Sequence, residues 1–318
     1  MNVLITGACG FIGSAVCWQL HQAGHKIVAL DNLKYGAVDA IPPGVPLIRR
    51  DLADPHDQHA ILYALESNKI EAVCHLAAES EIPVCQNDPL LAYRVNVTGG
   101  LMLLSAMQRA GVPRLIVSST AAVYEHNQPM PLTEDSRLEA ASPYGSSKLA
   151  FEQALRWIPG LSAVVFRYFN VCGATEHTWE RPIHRSRLVS VALDCARGRR
   201  DHMTLNGDTF PTPDGTPLRD YVHVQDVAVA HQLALEQPNV QGVFNLGCDR
   251  WYSNLEVIHA VERVTGRPVP YRIGPARPGD PPALRASNER AKLALGWRPH
   301  YTALEQMIET CWKWEPQT

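Results

Sequence analysis

Short apolar runs, set apart by stretches of helical period, outline the first half of this chain. Val3, Leu4 and Ile5 suit a strand buried on both faces. Phe11, Ile12, Ala15, Val16 and Leu20 then recur at helical spacing, and Gly24 supplies a stop. Further strand-like runs lie at 26–30, near 46–50, and at 71–75, 115–117 and 163–167. Between the fourth and fifth, Asp88-Pro89 pairs an N-cap with proline at the first helical position, and Gly111 closes that helix. Gly99-Gly100 inside it costs ~1 kcal/mol each relative to alanine, which points to close approach of another backbone or of a bound cofactor. Another helix opens at Pro143 and carries Tyr144 to Lys148. Strands alternating with helices mean a parallel, doubly wound α/β sheet. Beyond Asn170 the regularity fades. Loops rich in proline and glycine, at 209–216 and 274–282, separate shorter elements, as expected of a smaller mixed α/β lobe lying over the strand ends.

Composition narrows the class. The chain of 318 residues can bury a large core, and its 46% hydrophobic and 19% charged residues are those of a soluble globular protein. A net charge of −3 with no long basic run implies neither nucleic acid nor a membrane surface as partner. No basic start precedes the first strand, as a signal peptide would need, and no apolar run is read as long enough to span a membrane. The eight cysteines are scattered, none in a Cys-x-x-Cys pair, and read as reduced, mostly core thiols of a cytoplasmic protein. His56 and His59 have metal-like spacing but no partners nearby, so surface histidines are the better reading and no metal is expected.

Candidate chemistry starts at the first turn. Gly7, Gly10 and Gly13 follow the first strand at spacing three. A strand turning sharply into a helix aims backbone N–H groups and the positive helix end at one point, which suits a phosphate. Glycines let a pyrophosphate approach the backbone and let helix pack on strand. A Gly triplet alone marks many ordinary turns. Asp31, at the end of the second strand, stands where an acid would bind the adenosine ribose hydroxyls, and together they indicate a Rossmann-type dinucleotide fold. The Asp31 carboxylate would meet a 2′-phosphate with like charge, which speaks against NADP. Asn32 and Tyr35-Gly36 belong to a loop that could close over the adenosine end. Asp51 could accept from the adenine amino group while Leu52 packs on the ring; Asp51 equally reads as a cap for a helix starting near Pro55. Leu76, Ala77 and Ala78 are small or apolar enough for a cofactor to cross the fourth strand's end.

Tyr144 and Lys148, four apart, share one helix face. A phenol titrating near ~10 is a poor base at neutral pH. An ammonium one turn away, with a positively charged nicotinamide, would favour the phenolate. Thr120, at the fifth strand's end, could share a hydrogen bond with a substrate oxygen. Such pairs occur on many helices by chance; the order of parts gives this one meaning, from glycine loop and acid to Ser118-Ser119-Thr120 and then Tyr-x-x-x-Lys.

In that order of parts the chain resembles the extended short-chain dehydrogenase/reductase family. Arg167-Tyr168-Phe169-Asn170, 211–216, 219–224, 244–247 and 277–280 are similar to segments of its UDP-glucose 4-epimerases, and the resemblance covers nearly the whole chain. It implies a UDP-hexose 4-epimerase with tightly held NAD recycled in each turnover, residues 1–170 serving the cofactor and 171–318 the UDP-sugar. The segment at about 220–247 would pack back on the first domain. It implies NAD contacts at Gly7, Gly10, Phe11, Ile12, Gly13, Asp31, Asn32, Asp51, Leu52, Leu76, Ala77, Ala78, Asn96, Ser118, Tyr144, Lys148 and Tyr168. Thr120, Tyr144 and Lys148 would be catalytic. Asn170, Leu188, Arg219, Tyr221, Arg277, Asp280, Leu284 and Thr120 would meet the substrate. Two guanidiniums suit a diphosphate, although without the family each arginine reads as a surface residue.

The resemblance further implies a homodimer through the helices at 88–111 and 143–157. Relatives that eliminate water or carbon dioxide place an acid where this chain has Ala121-Ala122, which favours simple epimerisation. Departures are a shorter loop after Asn170, Arg187 where relatives often have Asn or His, and Ser80 where some have lysine. Leu284 stands at the sugar-pocket gate, filled by Tyr in some relatives; it reads either as an opening for N-acetylated UDP-hexoses or as core. A net NAD-dependent oxidoreductase and a non-catalytic NAD-binding regulator remain as alternatives of other classes.

Overall fold

In the computed structural model, which describes residues 1–181, 185–277 and 279–316, the first apolar run becomes β1 (Asn2–Thr6) and leads into α1 (Phe11–Gln22). There follow β2 (Lys26–Asp31), β3 (Leu47–Arg49), α2 (Gln58–Ser67), β4 (Ala72–His75) and α3 (Ile82–Asn87). A long helix comes next, as α4 (Pro89–Tyr93), a π-helical stretch (Arg94–Gly99) and α5 (Gly100–Ala110). Asp88 caps it through Leu91 N, and Gly111 ends it at φ +68°. Then come β5 (Arg114–Thr120), α6 (Pro143–Leu155), β6 (Ser162–Tyr168), β7 (Asn170–Cys172), α7 (Leu188–Ala196), β8 (Met203–Asn206), β9 (Leu218–Arg219), β10 (Tyr221–His223), α8 (Val224–Glu236) and β11 (Gly242–Leu246). The chain finishes with β12 (Tyr252–Ser253), α9 (Asn254–Thr265), β13 (Tyr271–Gly274), β14 (Ala283–Leu284), α10 (Glu289–Leu295) and α11 (Leu304–Trp314).

Seven strands form one parallel sheet in the order β11-β6-β5-β4-β1-β2-β3, because each is apolar on both faces and must be covered on both. Val3, Ile5, Ala29 and Cys74 pack on one side with Val16 and Leu20 of α1 and Val227 and Ala234 of α8. Leu4, Val28, Val73 and Leu115 pack on the other with Ile61 of α2, Leu103 and Met107 of α5 and Phe151 of α6. A separate core joins α7, α9 and α11 through Leu193, Val257, Val261 and Ile308. Strand order reverses between β1 and β4, so a crevice opens at their carboxyl ends.

Gly99 and Gly100 both sit at close approaches. A Cβ on Gly99 would lie 3.3 Å from the Leu52 backbone, and one on Gly100 would strike the Phe151 ring. The long helix corrects one expectation. Pro89–Ala110, 22 residues, is by length and composition apolar enough to cross a membrane. Its inner face instead covers the sheet through Leu103, Leu104, Ala106 and Met107.

Asp220 joins distant pieces of chain. Its carboxylate accepts from Cys248 N (2.7 Å) and Ala286 N (3.0 Å), its own N–H donates to Leu284 O, and its carbonyl accepts from Asn170 N. Burial pushes this carboxyl up to about 7, against the pull of those backbone donors.

Candidate active site

A cleft of about 1500 Å³ runs outside the carboxyl ends of the strands, walled by both halves of the chain. That exceeds the usual single small-ligand pocket and leaves room for a dinucleotide beside a nucleotide sugar. Every residue the sequence singled out for binding or catalysis lines it except Asn96. Pro278, within the 277–280 segment, lies outside the described residues.

The cofactor side is made mostly of backbone. Gly7 has φ +68°, and a Cβ there would sit 2.6 Å from Ala77 N; one on Gly13 would overlap the Gly7 carbonyl. Gly10 caps α1 without any side-chain bond, so the first-turn N–H groups beside Phe11 and Ile12 stay available to an anion. Asp31 is buried and oriented by Cys9 N (2.9 Å) and Leu33 N (2.7 Å), which leaves lone pairs for two hydroxyls. Asn32 Nδ2 donates to Asp51 Oδ2 (3.1 Å), and Asp51 Oδ1 accepts from Ala53 N. Asp54, not Asp51, caps the turn at Pro55, so the capping alternative for Asp51 falls. Leu52, Leu76, Ala77 and Ala78 complete the wall. This glycine cradle, free helix end and ordered acid fit a dinucleotide.

Two further residues of this wall, Glu79 and Lys34, carried no signal in the sequence, whereas Tyr35 did, in the loop that could close over the adenosine end. The buried Glu79 carboxylate accepts from Lys34 Nζ and Tyr35 Oη, each at 2.7 Å, and so ties the 32–36 loop to the 76–81 loop across the cleft. Asn96 serves that loop rather than the cleft. Its oxygen accepts from Glu79 N, and its amide donates to Glu79 O and Ser147 Oγ. All its polar atoms have protein partners, and it does not line the cleft. Tyr168 does line the cleft. His231 Nδ1 faces the Val227 carbonyl, which can only accept, so Nε2 is left to accept from Tyr168 Oη (2.9 Å). Tyr168 therefore engages its hydroxyl with His231 while lining the cleft.

On the neighbouring wall α6 presents Tyr144 and Lys148, with Ser142 capping the helix through Gly145 N. Lys148 Nζ donates to Ser118 Oγ (3.3 Å), whose own proton goes to the His75 carbonyl (3.1 Å). Burial pulls Lys148 down to about 8 and, with the Lys148 charge, pulls His75 to about 3, so that imidazole is neutral. Burial also pushes the Tyr144 phenol up to about 12; the Thr120 hydroxyl and the Arg187 charge pull the other way but are outweighed. The charge of a bound nicotinamide would be needed to tip the balance. Thr120 accepts from Ala122 N at 3.2 Å, and its hydroxyl is in hydrogen-bond reach of the Tyr144 oxygen. Beneath them, Arg167 makes a two-nitrogen contact with Glu152, which also accepts from Ser119 Oγ, locking α6 to the end of β5.

Across the cleft, Arg219 Nη2 donates to Asp280 Oδ1 (2.5 Å) and Nη1 to Leu218 O (2.8 Å). Asp280 thus orients an arginine as well as lining the cleft. Arg277 donates to the Asn206 side-chain oxygen at 3.2 and 3.3 Å, in the amide orientation that satisfies both groups. The buried Tyr221 hydroxyl lines the cleft with no hydrogen-bond partner among the described residues. Asn170 is exposed at the start of β7, Leu188 opens α7, and Leu284 is a buried wall residue on β14.

Residues 3–247 match the model of the "NAD dependent epimerase/dehydratase family". The chain belongs to this family. A UDP-glucose 4-epimerase of Lacticaseibacillus casei is 39% identical, the match covering 99% of this chain and 96% of the other. A crystal structure of UDP-glucose 4-epimerase from Bifidobacterium longum, in complex with NAD+ and UDP, superposes with a TM-score of 0.93 at 32% identity, over 99% of this chain and 98% of that one. The UDP-Glc/GlcNAc 4-epimerase of Campylobacter jejuni superposes with a TM-score of 0.84 at 33% identity, over 100% and 99%.

Within this epimerase/dehydratase chain, His126 is another cleft residue the sequence did not flag. Burial lowers its pKa, and the Arg219 charge lowers it further. No spacing rule could have found it, because it lies in a loop of irregular structure. Arg187 and Glu180 pair at 2.6 Å on the substrate side. The exposed Ser80 leaves its neighbour Glu79 to make the polar contacts. His56 and His59 are both exposed.

Proposed function

We propose that the protein interconverts UDP-glucose and UDP-galactose by inverting C4 of the sugar, with Tyr144 as the group that takes and returns the proton. The observation that carries this reading is the meeting of Thr120, Tyr144 and Lys148 on one wall of a cleft whose far wall offers Arg219, Arg277 and the unpartnered Tyr221 hydroxyl. Bound NAD supplies a reversible hydride acceptor. Tyr144 removes the 4-hydroxyl proton and gives it back, Thr120 donates to the same oxygen, and Lys148 positions Ser118 and the ribose. Arg219 and Arg277 hold the diphosphate with planar, charge-assisted donors. The sugar meets small residues, Ala121 and Ala122, which can neither donate nor accept a proton through a side chain; this supports epimerisation over loss of water. A firmly held nucleotide and a loosely held sugar let the keto intermediate present its other face.

The test is incubation with UDP-galactose and no added NAD. UDP-glucose should form without free NADH. A need for stoichiometric NAD, with NADH released, would make the protein an oxidoreductase.

A second reading concerns the sugar. Leu284 lines the cleft with a side chain smaller than tyrosine, which supports acceptance of N-acetylated UDP-hexoses; absence of UDP-N-acetylglucosamine turnover at high enzyme would end it. The protein is read as a cytoplasmic homodimer. Leu90, Tyr93 and Leu101 on the long helix and Trp157 just past α6 are all exposed, Leu90 and Trp157 at 82% and 84%, which supports burial against a second copy. A monomer in sedimentation analysis would refute the dimer. The eight free cysteines, seven of them buried, support the cytoplasm.

A further inference from the structure

We propose that Arg187 holds the pyrophosphate of the dinucleotide, reaching back from the start of α7 to the N-terminus of α1. This rests on the functional reading above, and it gives a substrate-side residue a cofactor task. The guanidinium lies over the Phe11 ring at 5.5 Å, and Phe11 opens the helix whose uncapped N–H groups face the cleft. Two positive features thus stand side by side on the cleft wall, and an anion between them relieves their repulsion.

Its setting leaves one side of the arginine open. Nη1 donates to Glu180 Oε1 (2.6 Å), and the other Glu180 oxygen accepts from Ser190 Oγ of α7. The Glu180 side chain is 7% exposed and that of Arg187 36%, so a buried carboxylate backs a cleft-lining guanidinium whose other nitrogens have no hydrogen-bond partner among the described residues. The titratable groups that face it are the Glu180 and Glu81 carboxylates and the neutral Tyr144 phenol, and Glu81 accepts from Ser186 Oγ at 2.7 Å. The chain before Arg187 is fastened to the cofactor half. His177 stacks on Trp18 at 3.6 Å, Ser14 Oγ donates to Thr178 Oγ1 at 3.4 Å, and Arg181 pairs with Asp39 at 3.1 Å. Those three tethers hold the 177–181 stretch against α1 and the loop after β2. The Arg187 guanidinium adds charge-assisted hydrogen bonds to a group that must stay bound through both halves of a turnover.

The experiment follows NAD loss from the purified holoenzyme during dialysis, with UDP affinity measured by calorimetry. Arg187→Gln should lose NAD about tenfold faster, Arg187→Lys should recover part of the retention, and UDP affinity should stay within about twofold of the parent. Retention equal to the parent in Arg187→Gln, or a defect confined to UDP affinity, would overturn the assignment. If Arg187→Gln does not fold, Arg187→Lys decides, since it keeps the positive charge but loses the planar fork: NAD loss faster than the parent's with UDP affinity kept supports the assignment, and parental retention overturns it. A parent protein that carries no NAD would instead overturn the functional reading itself.

Discussion

The two walls of the cleft are built on opposite plans. The cofactor wall is backbone: glycines, alanines and a helix end, carried by β1, β2 and β4, strands of four to six residues buried in the sheet. The substrate wall is side chain: Arg219, Tyr221, Arg277 and Leu284, carried by strands of two or three residues or by loop. A backbone site leaves little to adjust one residue at a time, because its donors belong to the fold. A side-chain site can be retuned by one substitution. The first suits a group kept for the life of the enzyme, the second a group that arrives and leaves.

Substitutions can break this comparison, and the largest effect is expected where the walls meet. Tyr144→Phe should lower turnover by about 10²–10⁴ while NAD stays bound; near-normal turnover would remove Tyr144 from the reaction. Arg219→Ala leaves Asp280 without its partner and should cost about 2 kcal/mol or more in substrate binding, read as a KM for the UDP-sugar at least about thirtyfold higher. NAD content should not change, and a parallel fall in NAD would blur the two plans into one. Gly7→Ala should do the reverse. At φ +68° and with Ala77 N 2.6 Å from the new Cβ, it should cost about 1–3 kcal/mol of stability and drain NAD first.

The smallest effect concerns Lys148. Burial holds its folded-state pKa near 8, below the unfolded value of about 10.4, so the unfolded chain binds the extra proton between those limits. Stability of the NAD-free protein should therefore rise with pH from about 8 to about 10. Lys148→Met should remove that rise and lift the unfolding midpoint at pH 7 by roughly 2–4 °C, as relief of about 1 kcal/mol would. A midpoint unchanged by pH in the parent would refute the buried charge.

The backbone wall was the more legible of the two in the sequence. Strand and helix limits there follow from residues with local effects, as Pro89 and Gly111 do for the long helix. The parallel sheet follows from apolar runs alternating with helices. What escaped depends on tertiary reach. Glu79 reads as one more polar loop residue until the fold brings Lys34 and Tyr35 to it. Resemblance alone gives Asn96 and Tyr168 to the cofactor; that Asn96 orders the Glu79 loop and Tyr168 bonds His231 emerges only from the fold. Two-residue strands such as β9 and β14 have no period to detect. Their arginine and leucine were found only through likeness to a family.

The four attachments of Asp220 bear on how such a protein can be divided. Its partners are contributed by stretches near 170, 248 and 285, so the polypeptide is knotted functionally at one buried carboxylate although its topology is open. A gene broken anywhere between those points yields fragments that each carry an unmatched acid or unmatched amides into the interior, at about 1–3 kcal/mol per lost bond. Splitting the enzyme for complementation or fusion is therefore best attempted outside the span from Asn170 to Ala286, where no strand of this clip is severed.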